Sequence, residues 1–137
     1  MKKTLAIMAA VCGLAVFSSA AEAQSRAQIE LRYTPTYNQC MNAASTTYDM
    51  NNCAGDELNK QDGRLNQAYV MVMRSLPEAN KTTLRTLQRA WIKQRDAKCE
   101  RERNQYDGGS MSTGVFLSCQ TDETIKRIIY LEKYNPF

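Results

Sequence analysis

The sequence predicts an all-α fold: a small antiparallel bundle of three long helices and a short N-terminal helix, tied together by two disulfides. Three observations support this prediction. Apolar residues recur at spacings of three and four over long stretches, and no segment keeps the alternating pattern of a strand. All three prolines lie at proposed helix ends. Four cysteines lie in the part of the chain that follows a predicted export signal.

Residues 1–23 have the pattern of a cleaved secretory signal peptide. Lys2 and Lys3 precede an apolar run at 5–17, and an A-x-A cleavage site ends at Ala23. The apolar run is too short to span a membrane. We therefore predict an exported protein with no membrane span after cleavage, periplasmic where the cell has an outer membrane and secreted otherwise.

Residues 24–137 suffice for one domain with one core. We divide them into a polar, flexible arm at 24–36 and a single helical domain at 37–137. The chain holds 18 Lys and Arg and 14 Asp and Glu; Lys2, Lys3 and Glu22 leave with the signal, so the mature net charge is +3. This mild, interspersed charge predicts a solvated helical surface and no nucleic-acid partner.

Caps, turns and prolines predict the helix boundaries. A short helix at about 37–44 ends at a polar break, 45–47. Thr46 and Asp49 have the spacing of a capping box, which predicts the start of a long second helix. Pro77 ends this helix. Its predicted inner residues are Leu58, Leu65, Tyr69, Val72, Met73 and Leu76.

Two further helices follow on either side of a strong turn signal. The third helix ends before Asp107-Gly108-Gly109-Ser110, and the fourth begins near Ser112 or Thr113. The predicted inner residues of the third helix are Leu84, Leu87, Trp91, Arg95 and Cys99. Those of the fourth are Leu117, Thr121, Thr124, Ile125, Ile128 and Leu131.

A tryptophan and an arginine share the apolar stripe of the third helix. Antiparallel register about the Pro77 turn places Trp91 opposite Gly63, whose missing side chain would leave room for the indole. A guanidinium on an apolar stripe needs an acceptor or a path to solvent. The same register places Arg95 opposite residues 57–62. We therefore predict that Arg95 is largely buried and paired with Asp62 or Glu57.

The four cysteines that follow the signal allow three disulfide connectivities. Register about the turn near 109 places Cys99 opposite Cys119, and the break at 45–47 places Cys40 across from Cys53. A Cys53–Cys99 bridge is conceivable across the Pro77 turn, although it is slightly out of register. We favour the two local bridges, each of which would tie the base of a hairpin.

No metal, cofactor or catalytic site is predicted. The cysteine spacings match no zinc pattern, and the chain contains no histidine. The same lack of histidine removes the commonest catalytic base, and the four thiols are expected to be tied up in disulfides. The acidic residues are scattered over helix faces. We therefore predict a protein that is not an enzyme.

One combination of motifs resembles a known family. It consists of C-x12-C at 40–53, D-x2-LN-x2-Y at 62–69, Q-R-x-W-I-x2-R-D-x2-C at 88–99, GGS at 108–110 and C-x4-T-x2-R at 119–127. Together these motifs resemble the LprI-type lysozyme inhibitor N-terminal domain family, which consists of small exported helical domains with paired cysteines. The resemblance covers residues 40–131.

The resemblance implies a protein partner, lysozyme, and inhibition of that enzyme. An active-site cleft is concave, so an inhibitor needs something narrow to insert, and two glycines permit a sharp turn. The expected inhibitory loop is therefore Tyr106, Asp107, Gly108, Gly109, Ser110 and Met111. Two alternatives stay open: the glycines form only a tight turn, or the protein is an envelope interaction or stress module with another partner. The sequence does not specify an oligomeric state.

Overall fold

The computed structural model describes residues 22–23 and 25–135. The compact unit Tyr33–Phe137 contains four helices: α1 (Pro35–Ala43), α2 (Thr47–Ser75), α3 (Glu78–Asn104) and α4 (Met111–Glu132). Residues 25–30, in the unit Met1–Arg32, are also helical. The described residues contain no strand, which confirms the all-α prediction. The predicted signal peptide lies outside the described residues except for 22–23.

Helix α1 begins two residues earlier than the predicted domain boundary at 37. Pro35 occupies the first turn, where its missing N–H costs no hydrogen bond. Thr34 is the N-cap, and its Oγ1 accepts a hydrogen bond from the Tyr37 N–H at 3.1 Å. Residues 35–36, which the predicted arm includes, therefore belong to helix α1. The flexibility of residues 24–36 stays a prediction.

Helix α2 begins with the capping box that the sequence indicates. The Asp49 N–H donates to Thr46 Oγ1 at 3.1 Å, and the Thr46 N–H donates to the Asp49 carboxylate at 3.1 Å. Hydrogen bonds from Thr46 and Ser45 hold the pKa of Asp49 below its usual value. The helix then continues unbroken through both of its glycines and ends before Pro77.

The third and fourth helices are joined by a compact turn at 105–110. Gly108 has φ of 68°, a left-handed conformation that glycine adopts without steric cost. The Gly109 N–H donates to the Tyr106 carbonyl at 3.0 Å, and the Ser112 N–H donates to the Gly109 carbonyl at 3.1 Å. Helix α4 thus begins at Met111, slightly earlier than predicted, because the turn closes within six residues.

Helix α4 packs against both α2 and α3, and α1 packs against α2. The hydrophobic core near the Pro77 turn contains Leu65, Leu76, Leu84, Ile128 and Leu131. One prediction about the inner faces, the buried position of Leu87, is wrong. Leu87 is 42% exposed, and its neighbour Gln88 is buried instead, because Gln88 Oε1 accepts a hydrogen bond from Arg127 Nε of α4 at 2.8 Å.

The predicted role of Gly63 is also wrong. A Cβ atom added at Gly63 would meet no heavy atom within 4 Å, so the glycine makes no room for the indole. Trp91 packs instead against the core near the Pro77 turn. Its ring centroid lies 5.1 Å from the Arg95 guanidinium and 5.5 Å from that of Arg127.

Both disulfides join the pairs that the helix register favours. Cys40 of α1 bridges Cys53 of α2 with a Cα–Cα distance of 5.7 Å. Cys99 of α3 bridges Cys119 of α4 with a Cα–Cα distance of 5.5 Å. The first bridge fixes α1 on the start of α2. The second fixes the base of the α3–α4 hairpin.

Candidate functional site

The six residues that the sequence singles out as an inhibitory loop form the end of the α3–α4 hairpin. We call Tyr106–Met111 the tip. All six residues are exposed. Tyr106 and Met111 are large apolar side chains in open contact with solvent on either side of the two glycines. The structure therefore brings the predicted loop residues together as one projecting surface.

The hairpin beneath the tip is held by one covalent contact and one weaker contact between α3 and α4. The Cys99–Cys119 bridge lies about two turns below the tip on α3, and both cysteines are buried. The Arg103 guanidinium lies 5.7 Å from the centroid of the Phe116 ring on α4, and it also lies 3.7 Å from the Glu100 carboxylate within α3. The tip thus extends from a cross-linked base.

A groove of about 460 Å³ lies beside the tip. It is formed by α1, the first turns of α2, the end of α3 and the first turns of α4. Its apolar wall includes three methionines, and Met111 belongs to both the tip and the groove. The residues that define this methionine groove are Tyr37, Met41, Met50, Ala54, Met111 and Val115, with Glu102 and Asp122 supplying carboxylates.

One hydrogen bond and one contact between aromatic rings hold the side chains at one end of the groove in place. Tyr33 Oη donates to Asp122 Oδ1 at 2.7 Å, and the Tyr33 ring lies 4.9 Å from the ring of Tyr37. Burial and the neighbouring Asp122 carboxylate raise the pKa of Tyr33, and burial raises that of Tyr37. Both phenols therefore stay neutral at physiological pH and act as hydrogen-bonding groups.

A pair of lysines flanks the carboxylates of α4. Lys98 Nζ and Lys126 Nζ each lie 2.7 Å from Glu123 Oε1. Burial alone would raise the pKa of Glu123, but the hydrogen bonds from the two lysines outweigh burial and lower it. The hydrogen bond to Glu123 raises the pKa of Lys98. Lys98 therefore pairs mainly with Glu123, since the Glu102 carboxylate lies 3.8 Å from its Nζ.

Arg95 contacts one of its two predicted partners. Its NH1 lies 3.4 Å from Asp62 Oδ1 and 3.1 Å from Thr124 Oγ1, and its Nε lies 3.0 Å from Asp96 Oδ1. The Arg95 side chain is only 14% exposed, whereas the Asp62 side chain is 45% exposed. The guanidinium thus connects α2, α3 and α4 at the edge of the core.

Replacing Arg95 by alanine should lower the free energy of unfolding by about 2 kcal/mol. A fully buried ion pair would cost more, but solvent around Asp62 weakens this one, and the hydrogen bond to buried Thr124 supplies much of the loss. Urea unfolding followed by circular dichroism measures the difference, with Arg89→Ala on the exposed face of α3 as the control. A loss equal to that of the control would contradict the structural role of Arg95.

Glu57, the other predicted partner of Arg95, has a different role. It is 1% exposed and accepts hydrogen bonds from the Thr34 N–H at 3.0 Å, from the Thr34 hydroxyl, and from Gln61 Nε2 at 2.7 Å. Thr34 is also the N-cap of α1. Glu57 therefore connects the start of α1 to the middle of α2 and is not part of the Arg95 cluster.

The methionine groove is the feature that the sequence analysis missed. Its residues are far apart in the chain, and helix α1, which forms one wall, has no buried residue. The one available signal was the pair of methionines, Met41 and Met50, on either side of the 45–47 break. The fixed position of α1 comes from the Cys40–Cys53 bridge and the Thr34–Glu57 contacts.

The exposed apolar residues do not form one patch. A Cβ at Gly114, near the tip, would lie 3.1 Å from Asn51 of α2. Met71 lies 20 positions further along the same helix, which corresponds to roughly 30 Å. Met71 is therefore remote from Tyr106 and Met111. A single interaction surface that includes all three is not supported.

Within the described part of the chain, no three His, Cys, Asp or Glu residues are arranged so that they could hold a metal ion. No helix among the same residues has both the length and the apolar character needed to cross a bilayer.

Comparison with known proteins gives one family and one curated relative. A family model described as Lysozyme inhibitor LprI matches residues 40–131, which is more than half of the chain. The uncharacterized protein R02472 of Rhizobium meliloti (strain 1021) is 30% identical over 107 residues, which cover 69% of this chain and 76% of the relative. No solved structure matches the chain.

Proposed function

Because this chain belongs to the LprI family of lysozyme inhibitors, we propose that it binds a cell-wall hydrolase of the lysozyme type and blocks it with the tip. The family consists of inhibitors rather than enzymes, and we propose that this chain likewise has no catalytic activity of its own. Two disulfides together with this family are typical of an exported protein. We propose that the protein meets the hydrolase after export.

The exposed tip on a cross-linked base is the observation that carries this proposal. A lysozyme cleft is concave, so the inhibitor must present a narrow convex element. The turn at Gly108 and Gly109 is narrow because neither residue has a side chain, and the positive φ of Gly108 closes it. The Cys99–Cys119 bridge limits the motion of the hairpin, which reduces the ordering entropy lost on binding.

The side chains around the glycines supply contacts of the right kind. Tyr106 and Met111 are exposed apolar groups, and tyrosine is among the residue types that dominate interface energies. Arg101 and Arg103 lie on the last turn of α3 next to the tip. Their charges are opposite to those of the catalytic carboxylates of a lysozyme, which favours local attraction in the cleft.

The test compares inhibition before and after the tip is blocked. Replacing Gly108 and Gly109 together by bulky residues should abolish inhibition and leave the helical circular dichroism intact. A Cβ at Gly108 meets no neighbouring atom within 4 Å, and a Cβ at Gly109 would lie 3.3 Å from the Tyr106 carbonyl oxygen, a close contact confined to the turn. The positive φ of Gly108 makes some loss of stability expected, so thermal melting is measured in parallel. The assay is the loss of turbidity of a cell-wall suspension with c-type and g-type lysozymes at stoichiometric protein.

Met71→Ala serves as the matched control, since this exposed methionine lies on α2 far from the tip. Inhibition that survives the double glycine substitution would place the contact surface elsewhere. Absence of inhibition with either enzyme would reject the proposal for these targets. A pull-down from envelope extract would then identify the partner of an interaction module.

A further inference from the structure

The methionine groove combines adaptable apolar side chains with carboxylates. Met41, Met50 and Met111 come from three different helices and meet in one concavity. Met50 is 42% exposed and Met111 is 61% exposed. Methionine is unbranched and fits irregular partners, and exposed apolar surface in a concavity is typical of a binding site. The floor is rigid because Cys119 is itself disulfide-bonded and Ala54 directly follows the disulfide-bonded Cys53.

The charge in the groove is negative. Glu102 of α3 and Asp122 of α4 both line it, and no lysine or arginine among the described residues does. Asp122 Oδ1 accepts a hydrogen bond from Tyr33, which neutralises none of its charge. Glu102 lies 3.8 Å from Lys98, but Lys98 is much closer to Glu123, at 2.7 Å. The Glu102 carboxylate is therefore weakly compensated and available to a cation.

We infer that the methionine groove binds a lysine- or arginine-bearing segment of a protein partner. Both side chains carry an aliphatic stem and a charged head. The stem would lie on the methionines while the head reaches Glu102 and Asp122. An anionic ligand would be repelled by the two carboxylates, and a wholly apolar ligand would remove water from them without supplying an opposite charge. The groove volume is within the roughly 300–1,000 Å³ usual for ligand sites and exceeds one side chain.

The positions of the cations on α3 agree with the binding of a cationic segment in the groove. Helix α3 carries Lys81, Arg85, Arg89 and Lys93 at intervals of four residues over 81–93. Glu102 lies 17 positions beyond Arg85, which corresponds to roughly 25 Å along the helix. A cationic segment is thus repelled along 81–93 but meets Glu102 and Asp122 inside the groove, whose lining does not include Arg101 or Arg103 of the last turn of α3.

The inference rests on the proposed function only for the identity of the partner. Met111 belongs to both surfaces, so a hydrolase that receives the tip in its cleft would also place its neighbouring surface over the groove. The chemistry of the groove can be tested without any hydrolase.

The experiment observes the methionine methyl groups by NMR. The oxidised protein, labelled with carbon-13 at the methionine methyls, is titrated with acetyl-Leu-Arg-Leu-amide and with the matched peptide in which uncharged citrulline replaces arginine. We expect saturable shifts of Met41, Met50 and Met111 with the arginine peptide and none of Met71, which lies outside the groove. The citrulline peptide should bind about three- to tenfold more weakly, because it lacks the charge that the carboxylates attract.

Two variants separate the apolar and the charged contributions. Ser118→Phe, at an exposed position of α4 that lines the groove, should fill the groove and remove the peptide shifts. Glu102→Gln should bring the two peptide affinities close together while leaving the melting temperature unchanged. No methyl shift with either peptide, or equal affinity for both peptides in the unmodified protein, would overturn the inference.

The lysozyme assay run on the same preparations distinguishes the two proposals. Peptide binding without lysozyme inhibition would support the groove and reject the proposed target. Inhibition without peptide shifts would support the proposed function and reject the groove as a receptor for a cationic segment.

Discussion

Replacing Cys99 and Cys119 together by alanine is expected to lower the free energy of unfolding by about 3 kcal/mol. The bridge closes a loop of 20 residues, and the chain-entropy model assigns roughly that amount to a loop of this length. Cys99 is fully buried between α3 and α4, so the loss of the sulfur atoms also removes packing contacts. The melting temperature should fall by roughly 10–20 °C.

Chemical unfolding of the oxidised protein and of the double variant measures this difference. The corresponding Cys40→Ala and Cys53→Ala double variant is the matched comparison, since its bridge closes a shorter loop of 13 residues and Cys40 is only half-buried. Peptide mapping without reduction checks the pairing itself. A Cys53–Cys99 peptide would contradict the two-hairpin arrangement.

Replacing Glu57 by alanine is expected to cost about 3–5 kcal/mol. The carboxylate accepts three hydrogen bonds, and its loss leaves the Thr34 N–H, the Thr34 hydroxyl and the Gln61 amide without this acceptor in a buried place. Each buried donor that loses its partner costs about 1–3 kcal/mol. The variant should also loosen α1, because Thr34 is the N-cap of that helix.

Two measurements test this expectation. Urea unfolding gives the loss of stability, and hydrogen exchange of the α1 amides should accelerate more than that of the α4 amides. Asp56→Ala, at the exposed neighbouring position, is the control and should change the stability by less than about 0.5 kcal/mol. A loss below about 1 kcal/mol for Glu57→Ala would mean that solvent replaces the carboxylate at no cost.

The elements near strong local signals are those that the sequence predicted best. The capping box at Thr46 and Asp49, the end of α2 before Pro77 and the turn at Gly108 all appear at or next to their expected positions. Each depends on backbone chemistry within four residues, so no distant contact can shift it far. The helical period then brought Cys99 opposite Cys119.

The inner faces were predicted less well, because polar residues fill much of them. The residues that are buried despite polar side chains are Thr34, Glu57, Gln61, Gln88, Gln120, Thr121 and Thr124. Hydrophobic periodicity cannot identify such residues, because it counts every glutamine as polar, whether the side chain lies in the core or at the surface. For this reason the sequence predicted that Leu87 is buried, although the buried residue on that face of α3 is Gln88.

The sequence by itself predicted the four helices of the domain and most of their ends, and it favoured the two local disulfides over a Cys53–Cys99 bridge, because these features follow from local propensity and from a fixed period. Only the tertiary structure decided that Glu57 joins Thr34 rather than Arg95, and that Met41, Met50 and Met111 meet beside Glu102. Both outcomes depend on where α1 lies against α2 and α4. Helix α1 has nine residues and none of them is buried, so its disulfide and the buried carboxylate of Glu57 fix its position instead.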